Sequence, residues 1–236
     1  MSSSTSTGPT ADSSPGAPAP PVSATAPPGA TGAFVPTTIA LGCAARLRPW
    51  GLKDCDSPTL LDGLMTVAAD PQSALWNPVR AADLTAAAKW VELRAEDWSA
   101  GTAATFALLD GDADTADTAD TADPVDTAPT LLGALTVRWT DRSDGLAMIG
   151  YWLVPAARGR GLATEATLAA TEWAFRTVGV RRLELAHAVQ NTPSCRVAQR
   201  CGFPTEGTLR ASYRFGDGRY HDEHLHARLA TDAPAT

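Results

Sequence analysis

The 236-residue sequence predicts a single domain of the mixed α/β (α+β) class, with a mostly antiparallel sheet of about six to seven strands flanked by about four helices. Short apolar runs of strand length recur along the chain, and several segments between them carry apolar residues at helical spacing. The run at 148–154 is apolar almost throughout, as a buried central strand would be, and it leads through a glycine-containing turn into a helix.

The first half of the domain is predicted to form a strand, two helices and two more strands. After the strand, Asp56 or Ser57 could cap a helix with an apolar stripe, and Asp70-Pro71 would end it, because proline disfavours a helical residue before it. That stripe consists of Leu60, Leu61, Leu64 and Val67. The predicted elements are a strand at 39–48, the helix from about residue 57, a helix at 81–96, and strands at 105–109 and 131–139.

The second half, after the strand at 148–154, is predicted to add two helices and three strands. Gly179 is placed to end the first helix, and Thr192 and Pro193 have the residue types of an N-cap and first helical position for the second. A turn at 216–218 would join the last two strands. The predicted elements are a helix at 162–178, a strand at 182–188, a helix from 192 to about 202, and strands at 208–215 and 220–229.

Low-complexity segments surround and interrupt a foldable domain at 38–231. Residues 1–37 are mostly Ser, Thr, Pro, Ala and Gly, so they offer too little apolar surface to offset ordering entropy, and we expect a disordered tail. The tail shows neither the basic nor the apolar region of a secretion signal, and we expect no membrane anchor. A Thr-Ala-Asp stretch at 110–129 is interpreted as an expanded hairpin loop, with an acidic lid as the alternative, and 232–236 as a C-terminal tail.

The charge balance argues against a nucleic-acid surface. Without the low-complexity aspartates and Asp12, the acidic count falls from 26 to 18 against 19 basic residues, so the folded part is nearly neutral. The low-complexity aspartates are Asp110, Asp112, Asp114, Asp117, Asp120, Asp123 and Asp126. The four cysteines, Cys43, Cys55, Cys195 and Cys201, lack metal or disulfide spacing and are interpreted as thiols of a cytoplasmic protein, with a nucleophilic Cys195 as the alternative.

The turn at 154–163 has the properties of a phosphate-binding loop. A short loop without bulky side chains, followed by the start of a helix, presents unpaired backbone N–H groups and the positive end of the helix dipole to an anion. The residues in question are Arg158, Gly159, Arg160, Gly161, Leu162 and Ala163. The loop lacks the Lys-Ser/Thr pair of a P-loop and the third glycine of a dinucleotide fingerprint.

A second motif follows the next predicted strand. Residues 191–203 read Asn-x-x-Ser, then an apolar turn and Gly-Phe, and residues 149–153 read Ile-Gly-Tyr-Trp-Leu before the phosphate loop. Together with Leu47-Arg48-Pro49-Trp50 and the Ala69-Asp70-Pro71 run, this ordered set resembles the GNAT N-acetyltransferase superfamily, and within it the RimJ/RimL-like branch.

The resemblance implies that acetyl-CoA binds where two parallel strands, 148–154 and 182–188, splay apart. Backbone groups of Leu153 and Val154 would pair with the pantetheine arm, and the N–H groups from 159 to 163 would hold the pyrophosphate, with Arg158 and Arg160 adding charge. Asn191 would hydrogen-bond the arm or the acceptor, and Ser194 would lie near the sulfur.

The resemblance further implies acetyl transfer to a primary amine by direct attack in a ternary complex. Such a reaction needs a donor for the developing oxyanion, an acid for the departing thiolate and a base for the amine. The N–H group of Val154 is the candidate oxyanion donor. Ser194 is the candidate acid, with helix capping as its alternative role.

The general base is the open part of this prediction, because Met148 stands where many relatives carry glutamate. Among His221, Asp222, Glu223 and His224 in the last strand we favour His224, with His187 and Tyr213 as further candidates. The alternative is that these groups belong to a partly exposed edge strand. The His-x-His pattern suggests a metal site, but the resemblance requires no metal and we expect none.

The acceptor is expected to be a protein N-terminus or a small-molecule amine, and the protein a monomer or homodimer without nucleic-acid or membrane partners. Trp76 and Trp90 are candidates to line the acceptor pocket, whereas Trp139, Trp152 and Trp173 are assigned to the core. The absence of a carboxylate at Met148 supports one alternative, a non-catalytic acyl-CoA-binding module. Another alternative is an acyltransferase that uses a different acyl-CoA.

Overall fold

The computed structural model describes residues 34–111 and 129–234. The tail predicted at 1–37 and the insertion predicted at 110–129 therefore lie almost wholly outside the described residues, as does the end of the C-terminal tail. Within the described ranges, no helix is both long enough and apolar enough to cross a membrane.

One eight-stranded sheet organises the domain, in the order β1-β2-β3-β4-β5-β6-β8-β7. The strands are β1 (Ile39–Leu41), β2 (Ala45–Pro49), β3 (Ala103–Asp110), β4 (Leu131–Asp141), β5 (Leu146–Leu153), β6 (Arg182–Ala188), β7 (Thr205–Arg214) and β8 (Tyr220–Leu229). The helices are α1 (Pro58–Ala69), α2 (Pro71–Trp76), α3 (Leu84–Ala100), α4 (Leu162–Trp173) and α5 (Thr192–Arg200). Neighbouring strands pair antiparallel except β5 and β6, which are parallel, so the predicted class is confirmed.

The predicted first strand at 39–48 was wrong, because it is a hairpin. The chain turns through Ala44, whose φ is 52°, so that Leu41 faces Ala45 and Ile39 faces Leu47 across β1 and β2. A three-residue strand shows too little alternation of apolar and polar residues for the sequence to distinguish it from the strand that follows.

Helix α2 was also not predicted, although Asp70-Pro71 does end α1. The Asp70 carboxylate caps α2 by accepting from the Ser73 N–H group at 2.8 Å, and Pro71 occupies its first turn. The same two residues therefore end one helix and begin the next.

Two helix ends in the second half differ in detail from the prediction. Asn191, and not Thr192, is the N-cap of α5, since its side chain accepts from the Ser194 N–H group. After Trp173, α4 continues as one π-helical turn at Ala174–Val178. Gly179, with a φ of 82°, then ends the helix as predicted.

The core lies along the central strands, since every residue of β3 except Asp110 is buried. The predicted stripe of α1 is buried as well. Trp152 and Trp173 belong to the core, and Trp139 stacks on Phe34 at its margin, with ring centroids 5.7 Å apart.

Candidate active site

A cleft opens between β5 and β6, the only parallel pair among the described strands. Pairing runs only from Leu146 against Arg182 to Met148 against Glu184, although β5 continues to Leu153. Beyond that point β6 keeps its hydrogen bonds to β8 on its other side and diverges from β5. The facing edges therefore keep backbone groups that no neighbouring strand satisfies, as the predicted splay requires.

The oxyanion donor predicted at Val154 was wrong. The Val154 N–H group donates to the Leu132 carbonyl at 3.0 Å, within the β4 side of the sheet. Because successive N–H groups of a strand point to opposite edges, the N–H group of Leu153 points toward the cleft instead. Leu153 is thus one backbone donor available at the splay, and the backbone of Tyr151 faces the same edge.

The turn after β5 carries the free N–H groups expected of a phosphate loop. Gly159 and Gly161 have φ angles of 75° and 82°, a left-handed conformation that glycine adopts without strain. Among the described residues, the N–H groups from 159 to 163 donate to no recorded acceptor, whereas the next one, of Thr164, donates to Gly161. A Cβ atom added at either glycine would meet nothing within 4 Å, so the loop faces open space.

Arg158 does not add its charge to this loop as predicted, because its guanidinium group is bound to residues at the start of α2. It pairs with the Asp70 carboxylate at 2.5 Å, with Gln72 at 3.0 Å and with the Ser73 hydroxyl at 3.0 Å. It also donates to the Leu153 carbonyl at 3.3 Å. Arg158 thus fastens the start of α2 to the end of β5, while Arg160 is exposed and forms no ion pair within the described residues.

Replacing Arg158 with glutamine is expected to cost about 1 kcal/mol of unfolding free energy at pH 7, a value kept small because the pair is partly exposed to solvent. Arg158 holds the pKa of Asp70 below its usual range, so the pair stabilises the fold above the ordinary carboxyl pKa and loses this effect as pH falls through the lowered value. Urea unfolding of both proteins from pH 7 downward measures the difference. A difference that persists unchanged in acid would contradict the ion-pair account, and Arg160→Gln is the matched control.

Two hydroxyl groups meet at the cleft. The Tyr151 hydroxyl lies 3.1 Å from the Ser194 Oγ atom, and burial raises the pKa of Tyr151 to about 12, so the phenol stays protonated. The capping role considered for Ser194 belongs to Asn191, which leaves the serine hydroxyl free for this contact. Sequence reasoning missed Tyr151, although it lies inside the Ile-Gly-Tyr-Trp run that carried the resemblance.

The base candidates of β8 separate into different environments. The His221 Nε2 atom lies 2.8 Å from an Asp217 carboxylate oxygen, and its ring packs against Trp76 at 6.0 Å between centroids. The residue after that tryptophan, Asn77, donates to the Tyr151 carbonyl at 3.1 Å, so α2 connects His221 to the cleft. Among the described residues, His221 is therefore linked to Tyr151 only indirectly, through Trp76 and Asn77.

The two acidic candidates of β8, Asp222 and Glu223, already accept hydrogen bonds from β7. Asp222 accepts from the Ala211 N–H group at 2.8 Å, in a bulge of β7 where Ala211 has a φ of 47°. Glu223 accepts from the Ser212 hydroxyl at 2.7 Å. Tyr213 is 55% exposed and packs on Phe215.

His224, which the sequence favoured as base, belongs to a separate cluster. It packs edge-on against His187, with ring centroids 5.5 Å apart, and the same cluster contains His226 and Cys195. These contacts lie on the α5 side of β6 and β8, and no recorded contact joins His224 to the Tyr151–Ser194 pair among the described residues.

Glu184 is a carboxylate that sequence reasoning did not consider. The parallel register places it beside Met148, the position without a carboxylate. Its side chain already pairs with Arg182 at 2.8 Å, however, so it is not free to face an acceptor amine. The strand alternation of Arg182 and Glu184 could have indicated this pair.

The two tryptophans proposed for the acceptor side behave differently. Trp90 packs edge-on against Trp50 at 5.4 Å and Trp152 at 6.1 Å, which is ordinary helix packing. Trp76 packs on Phe215 and His221 near the cleft and remains only partly buried. Only Trp76 is therefore placed to contact an acceptor.

Comparisons with known proteins agree with this architecture. Residues 45–204 match the family model described as the acetyltransferase (GNAT) domain. The ribosomal-protein-serine acetyltransferase of Escherichia coli (strain K12) is 31% identical over 99 residues, which are 42% of this chain and 55% of that protein. The chain spans about half the length of the curated relatives that it matches.

Solved structures share the fold over most of the chain. RimL, a ribosomal L7/L12 alpha-N-protein acetyltransferase solved with coenzyme A, has a TM-score of 0.66 at 21% identity and covers 82% of this chain and 98% of its own. RimJ of Mycobacterium smegmatis, solved with a CoA disulfide, has a TM-score of 0.64 at 24% identity and covers 85% of this chain and 91% of its own. With the family model matching well over half of its length, the chain belongs to the GNAT acetyltransferase family, and its relatives and structural neighbours include ribosomal-protein acetyltransferases of the RimJ/RimL type.

Proposed function

We propose that this protein transfers the acetyl group of acetyl-CoA to a primary amine by direct attack in a ternary complex, and that the acceptor is a protein N-terminus. The observation that carries the proposal is the β5–β6 cleft, which has five free N–H groups at one end and the Tyr151–Ser194 hydroxyl pair beside it. Support for the acceptor comes from relatives and neighbours named for acetylation of ribosomal proteins. Such an enzyme would act in the cytoplasm, as a monomer or homodimer.

In this proposal, acetyl-CoA binds in the cleft and extends the sheet at the edge of β5. The pantetheine arm supplies amide carbonyls that can accept from N–H groups on the cleft edge of β5, as an added strand does. The Tyr151 and Leu153 carbonyls on that edge already accept from Asn77 and Arg158. The pyrophosphate would lie on the N–H groups from 159 to 163 at the start of α4, with the exposed Arg160 adding positive charge. Asn191 has an amide nitrogen left for the arm, since its oxygen caps α5.

The chemical step forms one C–N bond and breaks one C–S bond. The amine attacks the thioester carbonyl, and the Leu153 N–H group stabilises the oxygen as it becomes negative. When the intermediate collapses, Ser194 donates its proton to the departing thiolate, and Tyr151 donates its own proton to Ser194 from 3.1 Å away. The proton that His221 took from the amine then restores the Tyr151 phenol through solvent, so no net charge is left on the protein. The protonated phenol of Tyr151 suits this second role.

His221 is the base of this proposal. The Asp217 carboxylate accepts a hydrogen bond from Nε2, so the neutral ring keeps its lone pair on Nδ1, where it can take a proton from the amine directly or through one water. Glu184 is the weaker candidate because Arg182 already holds it.

Replacing His221 with alanine is therefore expected to lower kcat by about 100-fold, the smaller end of the range for general bases. Free imidazole in the buffer should restore part of the rate, which loss of a merely structural ring would not allow. The exposed neighbour variant Tyr220→Phe is the control and should keep full activity. An unchanged kcat in His221→Ala would remove His221 from the mechanism.

The activity itself is tested by incubating the full-length protein with acetyl-CoA and two panels of acceptors, peptides with free N-termini and small amines. Release of CoA thiol and mass spectrometry of the products identify the acceptor and the acetylated atom. Acetylation of peptide α-amines is the expected result. Failure to bind acetyl-CoA would refute the proposal.

Met148 supports a second candidate function, a module that binds acyl-CoA without catalysis. Acetyl-CoA binding with no turnover on either panel would favour that function. Turnover only with succinyl-CoA or a longer acyl-CoA would instead change the donor while keeping the reaction.

A further inference from the structure

Three of the four histidines in the sequence meet at one place that the proposed mechanism does not use. His187 of β6, His224 and His226 of β8, and Cys195 of α5 each direct a ligand-type atom to a common point, and these atoms all lie within 4.8 Å of one another. His226 is 0% and His187 4% exposed. We call these four residues the histidine–cysteine cluster.

The hydrogen bonds of the two buried rings determine where their protons are. The Nδ1 atom of His187 lies 2.8 Å from the Ala188 carbonyl, and Nδ1 of His226 lies 3.0 Å from the Phe203 carbonyl. A carbonyl oxygen only accepts hydrogen bonds, so these contacts place a proton on each Nδ1. The Thr205 hydroxyl lies farther from His226 Nδ1, at 3.3 Å, and can accept from the same N–H group. In a neutral imidazole the other nitrogen, Nε2, then has only a lone pair.

Those two Nε2 atoms face each other at 3.1 Å. Two lone pairs at hydrogen-bond distance, with no hydrogen between them, repel, and both groups are removed from water. The arrangement becomes favourable only if a positive species is located between the nitrogens. A metal cation is one such species, and a single extra proton is the other.

The surroundings of the pair favour a metal ion. A shared proton would occupy two nitrogens, but two further ligand-type groups converge on the same point. His224 has its Nδ1 atom buried without a hydrogen-bond partner in the described residues, and the Cys195 Sγ atom lies 4.0 Å from His226 Nε2. Orphaned nitrogens and a nearby thiol are costly as they stand, and metal coordination would satisfy them together.

We propose that the histidine–cysteine cluster is a binding site for a divalent transition-metal ion of the Zn²⁺ class, with three imidazoles and one thiolate as ligands. Tetrahedral Zn²⁺ with ordinary bond lengths requires nitrogen atoms about 3.3 Å apart and nitrogen–sulfur pairs about 3.6 Å apart. The His187–His226 separation of 3.1 Å and the Cys195–His226 separation of 4.0 Å are near these values. Coordination would release the Cys195 thiol proton to solvent.

The outer contacts of the cluster fit the same assignment. Metal-bound histidines usually donate their second N–H group to a carbonyl or carboxylate, which fixes the ring and its tautomer. His187 and His226 both do so, to Ala188 and Phe203. Sulfur and imidazole ligands together select Zn²⁺ and related ions over Mg²⁺ or Ca²⁺, which prefer oxygen.

Four protein ligands leave no open position, so the ion would be structural and not catalytic. It would join the first turn of α5 to β6 and β8. Because Cys195 directly follows Ser194, the ion would also fix the segment that holds the Ser194 hydroxyl against Tyr151. The ion would therefore add a cross-link between these elements beside the cleft.

Metal uptake by the full-length protein tests this inference without any acetyltransferase assay, so it can fail or succeed independently of the proposed function. Protein stripped with a chelator is titrated with Zn²⁺ and with Co²⁺, followed by measurement of bound metal per chain, the Co²⁺ spectrum and thermal unfolding. One equivalent, tetrahedral Co²⁺ bands with thiolate-to-metal charge transfer, and a raised melting temperature are expected.

Variants of the cluster and matched controls locate the ion. Cys195→Ser and His224→Gln should each weaken Zn²⁺ binding by at least about tenfold, a loss that even outer contacts of a metal site can cause. Cys55→Ser and His221→Gln change the same residue types outside the cluster and should bind as the original protein does. If a ligand variant fails to fold, the Co²⁺ spectrum of the unaltered protein still reports whether thiolate is bound.

Two outcomes would overturn the assignment. Absence of stoichiometric uptake by the unaltered protein would mean that His187 and His226 share a proton instead. Uptake that survives both ligand variants would place the ion elsewhere in the chain.

Discussion

Replacing Ser194 with alanine is expected to lower kcat by about 100-fold while acetyl-CoA binding changes little. A positioned general acid contributes about 10²–10⁴ in rate, and the lower figure applies because Ser194 is only partly buried, so water can replace part of its function. The hydroxyl is the only part of Ser194 that the proposed mechanism uses, and its recorded side-chain contact among the described residues is with Tyr151. The substitution should therefore affect the chemical step far more than the fold.

Steady-state kinetics and calorimetric measurement of acetyl-CoA affinity separate these effects. Ser194→Thr keeps a hydroxyl at the same position and is the matched variant, expected to retain much of the rate. Tyr151→Phe should show an intermediate loss, since the phenol acts through Ser194. Full turnover by Ser194→Ala would mean that the thiolate is protonated by Tyr151 or by water, and the serine would lose its catalytic role.

The parts of this site that sequence predicts are those determined by local pattern. Gly159 and Gly161 adopt left-handed conformations that leave the N–H groups at the start of α4 without acceptors among the described residues. Those conformations depend on the glycines themselves. Ser194 follows its cap, Asn191, at fixed helical spacing. Neighbours in the chain are enough to specify these features, so one sequence suffices to find them.

The parts that sequence did not predict depend on partners distant in the chain. The exclusion of Arg158 from the phosphate loop required Asp70, which is 88 residues away. The direction of the Val154 N–H group depended on the register of β4, and the histidine–cysteine cluster depended on β6 lying next to β8. A pattern such as His-x-His gives the face of one strand but not the residues that the neighbouring element contributes.

The short elements escaped prediction for a different reason. Strand β1 has three residues and α2 has six, so neither is long enough to repeat the apolar spacing of its type twice. Helix α2 is nevertheless important to the site, because it carries Trp76 and because Arg158 contacts its first turn. Its far end is held by the β7–β8 turn, where the Gly216 N–H group donates to the Leu75 carbonyl at 2.9 Å.

A large effect on stability is expected at Gly133, where β4 packs closely against the end of β5. A Cβ atom at this position would lie 2.3 Å from the Trp152 carbonyl oxygen and 2.8 Å from the Leu153 Cδ2 atom. Both distances are far below van der Waals contact, and the carbonyl belongs to backbone that is fixed in the sheet. Gly133→Ala is therefore expected to cost about 2–3 kcal/mol, the upper part of the range for overpacked cores.

The same substitution should also weaken acetyl-CoA binding, because relief of the clash must move Trp152 and Leu153, which form the cleft edge that offers the Leu153 N–H group. Gly150→Ala on β5 is the matched control, since an added Cβ atom meets nothing within 4 Å there and neither glycine has a positive φ. That variant should be as stable as the original protein or slightly more so, because alanine reduces the entropy of the unfolded chain.

Denaturant unfolding and acetyl-CoA titration of both variants measure the two effects together. Equal stability of the two variants would show that β4 and β5 can separate at Gly133 without cost. A loss of stability with unchanged acetyl-CoA affinity would instead show that cofactor binding does not depend on this edge of β5.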